Sequence, residues 1–147
     1  MSTTSRPVQA TPEQVWSVLA DGWLYPLFVV GAARMRDVDE GWPAVGTRLH
    51  HSVGSWPLMI DDTTEVLEVE ENRRILLLAR GWPAGQAHVE ISLEPGGTSE
   101  QTVVTIVENA TGGPGALIPK AIQDPQLHLR NVETLRRLAF LVEGRAR

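Results

Sequence analysis

Apolar positions recur along this chain with two different periods, and the change of period marks out its parts. Near the N-terminus Val15, Val18 and Leu19 share one helical face. Thr11 is placed to cap that helix, Pro12 suits its first position and Gln14 completes a capping box, while Asp21-Gly22 ends it. A helix is therefore predicted over about 12–20. The stretch from Trp23 to Val30 is apolar but contains Pro26, and reads as a short second helix or a packed loop. Beyond it the period shortens to two. Strands are predicted over about 33–39, 47–54, 58–69, 74–80, 86–94 and 101–109, with a weaker signal over about 2–10.

The breaks between these strands carry turn chemistry: Glu40-Gly41-Trp42-Pro43, Ser55-Trp56-Pro57, Glu71-Asn72, Gly81-Trp82-Pro83-Ala84-Gly85 and Pro95-Gly96-Gly97. Connections this short force antiparallel neighbours, because a parallel crossover needs a dozen or more residues. The strand around Val89 alternates most cleanly, with Ala87, Val89, Ile91 and Leu93 on one side and Gln86, His88, Glu90 and Ser92 on the other. After the loop Thr111-Gly112-Gly113-Pro114-Gly115 comes a segment broken by Pro119 and Pro125. A long helix follows over about 125–143, its apolar stripe formed by Leu127, Asn131, Leu135, Leu138 and Val142 and flanked by Val132 and Ala139. Arg130, Glu133 and Arg137 face away. The pattern predicts one α+β domain over residues 1–147: an antiparallel curved sheet of six or seven strands wrapped on a long C-terminal helix, with two short helices near the N-terminus.

Composition narrows the function without naming it. The 147 residues are 42% apolar and 21% charged, ordinary for a globular protein. A net charge of −5 argues against nucleic acid, which wants a concentrated basic face. Arginines do gather at Arg130, Arg136, Arg137, Arg145 and Arg147, but Glu133 and Glu143 are interspersed, as on a solvated helix face. The absence of cysteine excludes disulfides, thiol catalysis and thiolate metal sites. Met1 to Gln9 is polar, and no apolar run approaches the roughly 18 residues of a membrane span. A cytoplasmic protein with no membrane insertion is expected, as a monomer or a weak homodimer.

Alternation from Val89 outward places Thr102, Val104, Ile106 and Glu108, Ile75, Leu77 and Ala79, Thr64 and Val66, Leu58 and Ile60, and Leu49, His51 and Val53 on one inner face. An apolar pocket between this face and the C-terminal helix would be lined by Leu77, Val89, Val104, Ile106 and Leu135. Glu108 and His51 are the ionisable groups that land inside. A buried carboxylate must find donors or take up a proton, so Glu108 is a candidate ligand anchor or general acid. Its alternative partners are the amides of Gly112 or Gly113, or Arg48 or Arg80 turned inward. His51 is a second candidate for acid–base work, and Asn131 on the helix stripe could bond ligand or sheet. Trp56 and Trp82 stand at the same end of the sheet as Gly112, where tryptophans either cap a core or line an entrance. His50 and His51 point to opposite faces, and His88 outward, so no metal site is expected. No Walker or Gly-x-Gly-x-x-Gly sequence occurs, and no cofactor is expected.

The order of parts resembles the START-related SRPBCC superfamily, and within it the polyketide cyclase/dehydrase-like proteins. The residues that carry the resemblance are Ala10-Thr11-Pro12-Glu13-Gln14-Val15-Trp16, Trp42-Pro43-Ala44-Val45-Gly46-Thr47-Arg48-Leu49-His50, Thr64-Glu65-Val66-Leu67-Glu68, Val103-Val104-Thr105-Ile106-Val107-Glu108, and Leu129-Arg130-Asn131 ahead of Thr134-Leu135. The resemblance implies a helix-grip fold with an apolar cavity between sheet and C-terminal helix. It does not imply a reaction, since the superfamily mixes carriers, receptors and cyclases. The first expectation is binding or carriage of a small, largely apolar, polyketide- or lipid-like molecule. The alternative is a small polyketide cyclase, aromatase or dehydratase that uses Glu108 or His51 as acid or base. Catalysis needs at least two polar groups aimed at one atom. The thin polar inventory of the inner face therefore favours binding. A protein-interaction role would need an exposed apolar patch, which the polar outer face around His88 does not supply.

Overall fold

The computed structural model describes residues 1–30, 32–53, 60–81 and 85–146. Strands β1 (Ser2–Val8), β2 (Ala32–Val38), β3 (Arg48–Val53), β4 (Ile60–Glu70), β5 (Arg74–Gly81), β6 (Gly85–Pro95) and β7 (Thr102–Gly112) form one sheet. Its order is β1-β7-β6-β5-β4-β3-β2, every neighbouring pair being antiparallel. This is the meander that the short turns dictate, with the N-terminal strand added at the far edge beside β7.

Helix α1 (Pro12–Leu19) starts where the sequence places it. The Thr11 hydroxyl accepts from the Gln14 amide at 3.2 Å, and the Gln14 side chain accepts from the Thr11 amide at 2.8 Å. A 3₁₀ turn over Gly22–Leu24 leads into the single turn of α2 (Tyr25–Phe28), which has Pro26 in its first turn. Gly22 lets that turn press on the sheet, because a Cβ there would stand 2.5 Å from Leu49 Cδ2 and 2.8 Å from Val38 Cγ1. The Tyr25 hydroxyl donates to the Leu19 carbonyl at 2.8 Å, and the Trp42 indole donates to the same oxygen at 3.2 Å. Burial pushes the Tyr25 phenol far above its ordinary pKa. Trp42 packs edge-on against Tyr25, so it caps the core at this end of the sheet.

Helix α3 (Lys120–Ala146) is longer than the sequence pattern suggested and runs through Pro125 without ending there. Pro125 lies in the second turn, where its missing N–H removes only the bond to the Ala121 carbonyl, so packing further along decides the helix. Asn131, Leu135, Leu138 and Val142 are buried as expected, with Thr134 and Ala139 beside them. Leu127 is half-buried, and Val132, expected to flank the stripe, is exposed. The helix lies against β1, touches β7, and is flanked by α1 and α2. Val8, Val15, Val18, Leu19, Val104 and Leu138 meet in the core beneath it. Burial of each such side chain is worth about 1.5–3 kcal/mol. Among the described residues no helix is long and apolar enough to cross a membrane.

Candidate functional site

Strand register sorts the inner face into rows that cross the sheet. One row reads Thr4, Ile106, Ile91, Ile75 and Val69; the next reads Ser2, Glu108, Val89, Leu77 and Val66. A third reads Ala110, Ala87, Ala79, Thr64, Leu49 and Val38, and beyond it Asp62 stands opposite His51, and His51 opposite Met35. The alternation anchored on Val89 thus holds from β7 to β3, despite bulges near Leu67 and between Gln86 and Ala87.

The first row and its continuation towards Val104 and Leu93 are packed under the helices, with Ile75, Ile91, Leu93, Val104 and Ile106 all buried. The other end of the face is looser. Val89, Ala87, Ala79 and Ala110 point inward from central strands yet are only half-buried. Of the expected pocket residues, Val104, Ile106 and Leu135 belong to the packed part, Leu77 is buried at its boundary, and Val89 faces the looser part. Leu58, Trp56 and Trp82 lie outside the described residues.

Glu108 sits at that boundary and is 6% exposed. Its Oε1 accepts from Asn131 Nδ2 at 3.1 Å, and its Oε2 accepts from Arg130 Nη2. Both partners come from α3, not from Gly112 or Gly113; Arg48 is engaged by Glu65 at 3.1 Å. Arg130, expected to face away, is 41% exposed yet its guanidinium reaches Glu108. The carboxylate has therefore found donors, one of them cationic, and it ties the helix to the sheet.

His51 is 7% exposed. Its Nε2 shares a hydrogen bond with Thr64 Oγ1 at 2.8 Å, and its Nδ1 is buried without a partner. Burial holds the imidazole pKa below its ordinary value. The Asp62 carboxylate and the Thr63 backbone oppose that shift, and Arg36 and His50 add to it. His50 points to the other face, where its Nε2 meets Asp39 Oδ1 at 2.7 Å and holds the Asp39 carboxyl below its usual range.

At the same end of the sheet an open cleft of about 280 Å³ is lined by Asp62, Arg80, Gly85, Gln86, Gly112 and Gly113. Gly85, at φ +109°, has no room for a side chain: a Cβ would stand 2.0 Å from the Gly112 carbonyl. A second recess of about 200 Å³ lies between α1 and the end of α3, at Gln14, Ser17, Val142 and Arg145. Sequence reasoning missed Arg130 as the partner of Glu108 and Asp62 as the inner neighbour of His51. Alternation back from Thr64 was the available signal for Asp62, and the place of Arg130 one turn before Thr134, at the edge of the stripe, was the signal for Arg130.

Solved structures with this architecture are numerous. A conserved protein from Geobacillus kaustophilus superposes with a TM-score of 0.71 at 20% identity, over 97% of this chain and 94% of that one. The Zhui aromatase/cyclase from Streptomyces sp. R1128 gives 0.67 at 21% identity, over 99% and 94%. Ara h 8.0201 gives 0.66 at 11% identity, over 97% and 96%. Identities this low establish a shared fold and nothing finer. No curated protein sequence matches the chain. Residues 2–143, however, match the sequence profile of the family described as polyketide cyclase/dehydrase and lipid transport, and with the helix-grip architecture in place the chain belongs to that family.

Proposed function

We propose that this protein binds a small, largely apolar molecule between α3 and the inner face of the sheet, at the end bounded by Glu108, His51 and the Gly112 cleft. The observation that carries this reading is the uneven burial of one sheet face. Inward-pointing Val89, Ala87, Ala79 and Ala110 remain half-buried, while Ile75, Ile91 and Val104 on the same face are buried. An apolar surface that its own fold covers only in part is where an apolar ligand gains most from leaving water. Family membership supports the same reading. Glu108 and Asn131 form the polar border of the site beneath α3, and Leu77 and Val89 its floor.

Native mass spectrometry of freshly purified protein tests this directly. The expected spectrum carries an added mass of a few hundred daltons that organic extraction removes. A clean apo spectrum, together with no saturable uptake of an apolar fluorescent probe, would overturn the reading. A cyclase- or dehydratase-type reaction is the second reading, and His51 is what favours it, being a buried imidazole held neutral with one nitrogen unengaged. Glu108 is less suited to proton transfer, because both its oxygens are occupied.

A further inference from the structure

Helix α3 carries a second apolar stripe, on the side turned away from the sheet. Ile122, Leu129 and Phe140 are 56%, 71% and 65% exposed. They stand seven and eleven residues apart, so at about 100° per residue they fall within about 20° of one line along the helix. The buried Asn131, Leu135, Leu138 and Val142 lie on the opposite side. Val132, also exposed, flanks the outer line, and Pro125 and Arg136 complete that face. Among the described residues, no apolar side chain of α3 before Leu135 is buried, so Ile122 and Leu129 are not drawn inward. The exposed apolar patch that the outer sheet face lacks is thus on the helix. Apolar side chains on two opposite faces are the pattern of a helix covered from both sides.

The order of residues along the outer face indicates what covers it. Ile122 and Phe140 are equidistant, to within half a residue, from the point midway between Arg130 and Asn131. So are Leu129 and Val132, and Pro125 and Arg136. A second α3 laid antiparallel across a two-fold axis at that point sets Ile122 against Phe140 and Leu129 against Val132, twice each. A self-complementary interface requires that arrangement. The charges permit it. Arg136 donates to Glu133 at 2.8 Å and stacks 5.4 Å from the centre of the Phe140 ring, and Arg137 donates to the same carboxylate at 2.9 Å. In the antiparallel pair each Arg136 faces Pro125, and the two Arg136 positions are about 16 Å apart along the axis, twice the Debye length of about 8 Å. An anionic lipid surface fits less well, because the chain has a net charge of −5 and Glu133 would be pressed against the headgroups.

We infer that the outer face of α3 is a docking surface for a second copy of this chain, in antiparallel two-fold contact centred between Arg130 and Asn131. The contact is about 27 Å long and about 10 Å wide, roughly 300 Å² on each copy, against about 800 Å² in a standard stable interface. The pair is therefore weak and forms only at high concentration. It leaves the inner face of the sheet free, so it is independent of the binding reading above.

Sedimentation velocity on the full chain, from about 5 to about 500 µM, tests this. Wild type is expected to pass from monomer to dimer with a Kd of about 100 µM. Leu129→Arg sets like charges at the centre of the contact and Phe140→Ser empties both ends. Each should weaken association at least about tenfold while thermal unfolding stays within about 1 °C of wild type, since both positions are exposed. The chain has no cysteine, so Ile122→Cys and Phe140→Cys report the direction of pairing. Under oxidation a mixture of the two should form the mixed disulfide in preference to either homodimer. Should one of the first two variants be unfolded, the other and the cysteine pair still decide. A wild type that stays monomeric throughout, association unchanged by both Leu129→Arg and Phe140→Ser, or disulfides formed preferentially between identical variants would overturn the inference. Monomeric wild type that sediments with vesicles of phosphatidylcholine and phosphatidylglycerol would overturn it too, and assign the face to a lipid surface.

Discussion

Replacing Arg130 by Met removes the cation from a buried carboxylate and keeps most of the aliphatic packing. Breaking a fully buried pair by deleting one partner costs about 3–5 kcal/mol, because the other charge is stranded. Here the Glu108 side chain is 8% exposed but that of Arg130 is 41% exposed, so water screens the contact from one side. Asn131 also continues to donate to Oε1. The expected loss is therefore about 1–2 kcal/mol, larger than the few tenths of an ordinary surface arginine. For 147 residues the unfolding entropy is near 0.3 kcal/mol per degree, so Tm should fall by about 3–6 °C. Glu108→Leu alone strands the guanidinium only at a half-exposed position, and the double variant should recover part of the single losses. A cycle over Arg130→Met and Glu108→Leu, followed by urea unfolding, measures the coupling directly. A Tm change under 1 °C for Arg130→Met, or a coupling near zero, would mean that α3 is not tied to β7 through this pair.

Two further outcomes follow from the same geometry. His51 has a depressed pKa in the folded state, so between its folded value and the ordinary unfolded value of about 6.5 the unfolded chain binds more protons. Its contribution is thus complete above about pH 6.5 and lost as pH falls through the folded pKa, and urea midpoints measured from pH 7.5 to 5 should drop more steeply in wild type than in His51→Phe. Gly85→Ala forces a Cβ to within 2.0 Å of a backbone carbonyl at φ +109°, so it should destabilise by about 2–4 kcal/mol and detach the β6–β7 end; a urea midpoint equal to wild type would show that the close approach is not kept in solution.

The sheet was legible because its punctuation is chemical. Gly96 and Gly97 between Pro95 and Ser99, Asn72 between Glu71 and Arg73, and Gly81 to Gly85 leave too few residues for anything but antiparallel returns, and β4, β5, β6 and β7 fall within a few residues of the expected spans. Asn72 indeed sits at φ +63°, the left-handed conformation that a tight turn requires. Inner and outer faces were legible for the same reason: alternation carries from Val89 to Leu77 and from Val89 to Glu108 without a slip. What periodicity could not convey is where a long side chain ends. It places Arg130 at the edge of the buried stripe, beside Asn131 and one turn before Thr134, but not the contact its guanidinium makes with Glu108. Nor could it locate the start of α3, because two prolines read as breaks, and only packing of Leu135, Leu138 and Val142 shows that the helix absorbs the second. Glu108 and Asn131 were recognisable as inward polar groups, but their bond to each other follows from the helix register against the sheet, which no local pattern encodes.

A single helix cannot cover this sheet, and that mismatch leaves part of the inner face less closely packed. Seven strands span about 29 Å across six inter-strand steps, whereas a helix with its side chains is about 10–12 Å wide. Helix α3 is committed to β1 and β7, where Glu108 holds it, and α1 and α2 fill the space beside it. Beyond that reach, β5 and β6 carry Ala79 and Ala87, small side chains that stay half-buried. The polar group on the packed side is already satisfied, since Arg130 and Asn131 occupy both oxygens of Glu108. Towards β3, His51 is engaged through Nε2 with Thr64 Oγ1, while its Nδ1 is buried without a hydrogen bond. The same ion pair that secures the helix thus occupies Glu108, so a ligand anchored on that carboxylate would first have to displace Arg130 or Asn131.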